Sequence, residues 1–237
     1  MSAVADFFSK RMLSGTGTLI GPPHNSQFNS VVELIVHSLP LLAESAMQED
    51  ISNENGLNRR LARFITNVAD KQGFPFFAHN ESMEDETRGN SPAADIGIHL
   101  KIEDIATDPP KITVFEGKRL TSTLRRERRQ EYVIGHEKED KHIPCGGIER
   151  FKCTIHGSEF THVGMIGYLQ EETPESWREK INAWISDLCS QTFEPAWSEL
   201  ERLTPPVTNG QVTECTSVVH RAGSELYLTH LWINLIP

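Results

Sequence analysis

Residues 111–120, KITVFEGKRL, constrain the fold of this chain more than any other stretch. Ile112, Val114 and Phe115 make the compact apolar run of a central strand. On such a strand Glu116 and Lys118, two residues apart, point to the same face. Charges on a buried face must be paired or must coordinate something. The plainer reading is an ion pair at an exposed strand end, and the surrounding sequence has to decide between the two.

With 237 residues, 38% of them hydrophobic and 24% charged, the chain has the size and composition of one large globular domain or two small ones. The first thirteen residues have no continuous apolar core, so no signal peptide is expected. The most apolar window, residues 31–43, is broken by Glu33, His37, Ser38 and Pro40, which argues against a membrane span. Cys145, Cys153, Cys189 and Cys215 are scattered without the spacing of a disulfide framework, which predicts a reduced, cytoplasmic protein. The net charge of −10 argues against indiscriminate binding to nucleic acid. Lys118, Arg119, Arg125, Arg126, Arg128 and Arg129 nevertheless concentrate positive charge in one segment, interrupted only by Glu127. That pattern suggests a defined phosphate-binding face, although a solvated helix face gives the same pattern.

The N-terminal residues 1–30 read as a peripheral arm, with a Gly-, Thr- and Pro-rich loop at 14–23. Residues 31–47 have helical spacing, with Pro40 expected to kink or split the helix. The firmest helix spans 53–72: Leu57, Leu61, Phe64, Ile65 and Val68 line one face, Ser52, Asn53 or Asn55 can cap its start, and Gly73 ends it. Glu54 falls at its positive end. A strand starts near residues 74–78, a loop is expected at 80–91, and residues 94–100 alternate as a strand carrying Asp95. After a turn at 103–110 comes the strand that carries Glu116 and Lys118. Residues 121–132 are expected to be an arginine-rich helix, 135–147 a loop, and 148–156 and 161–170 two strands with packing glycines. Thr173, Pro174 and Glu175 signal a helix start. Residues 195–203 suggest a short helix, and 212–220 with 225–236 a closing hairpin. One α/β domain over 1–237 is the simplest organisation, with a core at about 51–170 and a helix-and-hairpin extension at 171–237.

Glu54, Asp95 and Glu116, with Lys118 beside them, form an ordered acid–acid–acid–base set. An all-carboxylate set suits Mg²⁺, or Mn²⁺, rather than Zn²⁺. Such an ion polarises a phosphoryl oxygen and lowers the pKa of a bound water. A neighbouring lysine can orient or deprotonate that water or stabilise the transition state. His142, Cys145, Cys153 and His156 raise a zinc reading, but their spacing departs from the short paired spacings of zinc sites. The sequence contains no Walker A motif, dinucleotide fingerprint or G-x-S-x-G elbow.

A helix with Glu54, a strand with Ser91, Pro92, Ala93, Ala94 and Asp95, a strand with Glu116, Gly117 and Lys118, and then a basic segment resemble the core of the PD-(D/E)XK, or restriction-endonuclease-like, nucleases. The resemblance covers about residues 51–134. It departs from the family pattern in Pro92, which stands three residues before Asp95. It implies a restriction-endonuclease-like mixed β-sheet flanked by helices, with extra helices and a C-terminal β-hairpin. It further implies a divalent-metal-dependent endonuclease with Asp95, Glu116 and Lys118 catalytic and Glu54, Asp95 and Glu116 binding the metal. Arg119, Arg125, Arg126, Arg128, Arg129, Arg150 and Lys152 would then contact nucleic acid. By the same resemblance the expected partners are DNA, with RNA as the alternative substrate of a toxin, and a partner protein of a bacterial restriction or anti-phage system. A homo-oligomer fits as well, and no membrane is expected. The competing expectation is a non-catalytic nucleic-acid-binding or scaffolding subunit on the same fold.

Overall fold

An apolar run with a proline inside it forms one unbroken helix, α1, Ser26–Gln48, with Pro40 in its interior rather than at a break. The computed structural model describes residues 26–85, 87, 91–103, 107–125, 128–139 and 141–236, so the arm expected at 1–30 lies almost wholly outside them. By length and composition alone α1 is long and apolar enough to cross a membrane. Its inner face, with Val31, Leu34, Leu39 and Leu42, is buried in a core shared with α2 and the sheet, while Leu41 and Met47 are exposed.

Helix α2, Glu54–Gln72, starts where its cap predicts: the Asn53 side chain accepts from Gly56 N, and Gly73 closes the helix at φ 77°. Its Leu57, Leu61 and Ile65 are fully buried. The chain then makes an antiparallel meander of β1, Phe76–Met83, β2, Ala93–Leu100, and β3, Lys111–Leu120. Strand β1 runs through part of the loop expected at 80–91.

Residues 121–132 are not the expected helix. Among the described residues the segment is a series of tight turns, with Arg128 N bonded to Arg125 O and Glu131 N to Arg128 O. Its start is held away from helical geometry, because the Glu171 carboxylate accepts from Thr121 Oγ1, Ser122 N and Ser122 Oγ. Next comes a small hairpin, β4, His136–Lys138, and β5, Lys141–Ile143, in place of a plain loop. Residues 148–156, expected as a strand, instead contain the short helix α3, Gly147–Lys152. The Gly146–Gly147 pair lets the backbone approach Ile134 and Tyr132, and Glu149 turns back to accept from Gly146 N at 3.3 Å, so local capping overrides apolar alternation.

Strand β6, His162–Leu169, pairs parallel with β3. Helix α4, Pro174–Cys189, follows, and of the helix expected at 195–203 only a 3₁₀ turn at Glu199–Glu201 forms. The chain closes with β7, Val207–Asn209, β8, Val212–Arg221, and β9, Ser224–Asn234. The large sheet has seven strands in the order β1-β2-β3-β6-β9-β8-β7. It is mixed, with β3–β6 and β6–β9 parallel. The C-terminal hairpin therefore supplies two of the seven strands and is not an attachment to the sheet.

Helices α1 and α2 cover one face, over Phe115, Ile166 and Leu231, while α3 and α4 cover the other, over Val114, Met165 and Trp232. Glycines set how closely the layers approach. A Cβ at Gly164 would fall 1.9 Å from the Phe115 ring, and one at Gly117 would fall 1.9 Å from Asn58 Oδ1 on α2. Asn58 is itself fixed by the Tyr168 hydroxyl, which donates to Oδ1 at 2.6 Å. Gly117→Ala is thus expected to push α2 off β3, costing about 1–3 kcal/mol and lowering Tm by roughly 3–10 °C. A thermal melt that leaves Tm unchanged would contradict this packing.

Candidate active site

Strand β3 alternates, so Phe115 and Gly117 face α2 while Glu116 and Lys118 face the α3 layer. The paired residues Ile96 and Phe115 bring β2 alongside, and the next step along each strand sets Asp95 beside Glu116. Gly117 N donates to Asp95 Oδ2 at 2.8 Å. Glu54, the first residue of α2, reaches the end of β3 and accepts from Lys118 Nζ at 2.9 Å and Arg119 N at 3.4 Å. The four residues singled out from sequence therefore meet at one place. Lys118 Nζ lies 3.9 Å from Asp95 and 3.8 Å from Glu116, so the two acids are no farther apart than those distances together.

Two further residues complete the cluster. Glu116 is fully buried, its Oε1 bonded by His156 Nδ1 at 2.5 Å and its Oε2 by Arg150 Nη1 at 3.0 Å. Arg150, expected to line a nucleic-acid groove, instead holds the central carboxylate. His156, considered from sequence only in a zinc or thiol setting, does the same from the other side. The segment that carries His156 is held by Arg221 of β8. Its guanidinium donates to the carbonyls of Phe151 at 2.8 Å, Phe160 at 3.1 Å, Gly157 at 2.9 Å and His156 at 3.4 Å. Nothing local in the sequence points to these residues, because each is brought in over long range.

The electrostatics are uneven. Burial alone would raise the Glu116 carboxyl, but His156, Lys118 and Arg150 bring it down to about 2. Burial would also lower Lys118, yet Glu54, Glu116 and Asp95 outweigh it and hold the ammonium above its ordinary range. Asp95 goes the other way. Burial, and then the charge of Glu116, push it up to about 6 against the opposing pull of Lys118. Asp95 is thus the least compensated acid of the cluster, since Arg150 and His156 both bond to Glu116 and Lys118 bonds to Glu54. An all-oxygen donor set and an acid short of positive charge fit a hard divalent cation held by Asp95 and Glu116, with Glu54 at the margin.

The basic residues do not act as one face. Arg119 lies on the opposite side of β3 and lines a cavity with Ser52, Thr121, Gln170 and Glu171. Arg125 and Arg129 are exposed, and Arg128 is paired bidentately with Glu131. Arg126 lies outside the described residues. The assignment of Lys152 to nucleic acid is overturned. It is 1% exposed, its Nζ lies 2.6 Å from Glu201 Oε1, and it bonds to His220 O at 3.0 Å. Lysine on this face of α3 has no route to solvent, so it serves the core. The cysteines and histidines of the zinc reading also separate: His156 sits on Glu116, and His142 on Glu137 and Glu149.

Comparison with protein-family models, with curated proteins and with solved structures finds no match.

Asp95 holds its proton to higher pH when folded than the ordinary carboxylate value of 3.8. Folding is thus favoured while it is protonated, and stability falls as pH rises from about 4 to 6 and stays lower above that. Glu116 has the opposite sign, contributing stability above about 4.5 that is lost as pH falls toward 2. Asp95→Asn should therefore raise unfolding free energy at pH 7–8 by on the order of 2 kcal/mol, measured in urea without metal, and flatten the decline between pH 4 and 6. Lys152→Ala, which leaves the buried Glu201 carboxylate without its countercharge, should cost about 3–5 kcal/mol. That loss in the denaturant midpoint should come without a change in the salt dependence of any nucleic-acid affinity.

Proposed function

We propose that this protein is a divalent-metal-dependent nuclease that hydrolyses phosphodiester bonds, with DNA as the substrate. The observation that carries the reading is the convergence of Glu54, Asp95 and Glu116 on Lys118 at the end of β3. The mixed sheet flanked by helices, with acids on α2 and β2 and the E-x-K on β3, supports the restriction-endonuclease-like assignment. The tight turns at 121–132 depart from the basic helix expected there.

Asp95 and Glu116 would hold Mg²⁺ or Mn²⁺, with Glu54 assisting. When bound, the ion supplies Lewis-acid polarisation of the phosphate and a more acidic water. Lys118 is kept charged by its three acids, so it is not the base. Its ammonium instead orients the water and offsets the negative charge that develops on the phosphoryl oxygens. Arg150 and His156 fix the Glu116 carboxylate in one orientation. Arg125 and Arg129, exposed on the turn after β3, are placed to meet backbone phosphates.

A second reading, a nucleic-acid-binding subunit without catalysis, is favoured by one observation: both Glu116 oxygens already have protein partners. The two separate experimentally. Supercoiled plasmid and single-stranded RNA, incubated in parallel with Mg²⁺ or Mn²⁺, should show metal-dependent cleavage of the plasmid. Glu116→Gln and Lys118→Ala should each lower the rate about 100-fold or more. Mn²⁺ should also raise the Tm of the wild type and not of Asp95→Asn. Binding without cleavage, with a metal-independent Tm, would establish the second reading, and preferential RNA cleavage would change the substrate.

A further inference from the structure

The β4–β5 hairpin is a separate two-stranded sheet, paired His136↔Ile143, Glu137↔His142 and Lys138↔Lys141. Its side chains are exposed or half-buried, and even Ile143 is 38% exposed. A hairpin of three-residue strands with no apolar face is not stable by its own pairing. Polar side chains must hold it, and some of them are visible: His142 bridges Glu137 and Glu149.

At the open end of the hairpin three segments converge. Glu131 comes from the turns before it, His136 begins β4, and Cys145 follows β5. His136 Nδ1 lies 3.3 Å from Cys145 Sγ and 3.8 Å from Glu131 Oε1, and the three donor atoms lie within 4.8 Å of one another. A tetrahedral zinc ion with bonds near 2.0–2.3 Å sets its ligand atoms about 3.3–3.8 Å apart. The backbone is shaped to permit this approach, since a Cβ at Gly135 would fall 1.9 Å from Ile143 O and 2.6 Å from Cys145 N. Arg128 binds both Glu131 oxygens, Nε to Oε1 at 2.5 Å and Nη2 to Oε2 at 2.7 Å. Its side chain is 42% exposed, so it can keep Oε2 and release Oε1.

One thiolate, one imidazole and one carboxylate with a fourth position open form a set for a borderline-soft ion, unlike the hard oxygen set around Asp95. We propose that Glu131 Oε1, His136 Nδ1 and Cys145 Sγ bind one Zn²⁺, with water as the fourth ligand, and that the ion pins the hairpin to the turn before it. Cys145 binds as the thiolate and gives its proton to solvent. The proposal does not depend on the nuclease reading.

Co²⁺ serves as the probe, because its thiolate complexes absorb by charge transfer. Titrating the full-length wild type should give such a band that saturates at one equivalent and is displaced by Zn²⁺. The band should vanish in Cys145→Ser and His136→Ala and persist in Asp95→Asn and Cys153→Ser. Independently of any variant, Zn²⁺ should slow alkylation of Cys145 in the wild type about tenfold or more, read by peptide mapping, and leave Cys153 unchanged. The proposal is overturned by absence of the band and of the protection in the wild type, by a band retained in Cys145→Ser, or by a band lost in Asp95→Asn.

Discussion

The structure is organised around one carboxylate taken wholly out of water. Glu116 at the centre of the sheet would be prohibitive alone, since an isolated charge in a low-dielectric interior costs several kcal/mol even after relaxation. Lys118 from its own strand, Arg150 from α3 and His156 from the following segment surround it. Each partner imposes a condition on the fold. Lys118 needs Glu54, so α2 must begin at the end of β3. That approach needs Gly117, because any Cβ would meet Asn58. Arg150 needs α3 to start close against the turn at 131–133, whose carbonyls accept from the amides of Gly147, Ile148 and Glu149. What remains unbalanced is Asp95, whose carboxyl is pushed up to about 6 by burial and by the charge of Glu116.

How much of this was legible follows from the range of each determinant. Helix α2 and strands β2 and β3 were readable because their apolar periodicity is regular and agrees with the local caps, and Glu54, Asp95, Glu116 and Lys118 were placed on them accordingly. The segment at 121–132 was misread because arginine, glutamate and leucine are helix formers in isolation. What decides its shape is Glu171, some fifty residues away, which binds Thr121 and Ser122. Helix α3 differs from the strand expected there because a short apolar run cannot be told from a buried helix segment by periodicity alone. Lys152 illustrates the same limit: a lysine near arginines looks like surface charge until Glu201 is found against it. The hold of His156 and Arg150 on Glu116 has no signal in the sequence, since it lies in their distance from that carboxylate.

Two polar centres of different character thus lie along one stretch of chain. The carboxylate cluster is built on strands, is buried and is preorganised by packing. The Glu131, His136 and Cys145 group sits on turns and a hairpin with little apolar support. Arg128 and Arg150 belong electrostatically to both, each feeling a carboxylate of the first centre and the Cys145 thiol of the second.

Arg221 carries a consequence for how the protein is made. Its guanidinium ties together the carbonyls of Phe151, His156, Gly157 and Phe160, and it lies on β8, in the last strand pair of the chain. Domains form progressively as the ribosome extends the polypeptide. A nascent chain that has emerged only through β6 already contains Glu54, Asp95, Glu116 and Lys118 but lacks the residue that sets His156. In such a chain the four side chains are present without the contacts that set His156 against Glu116.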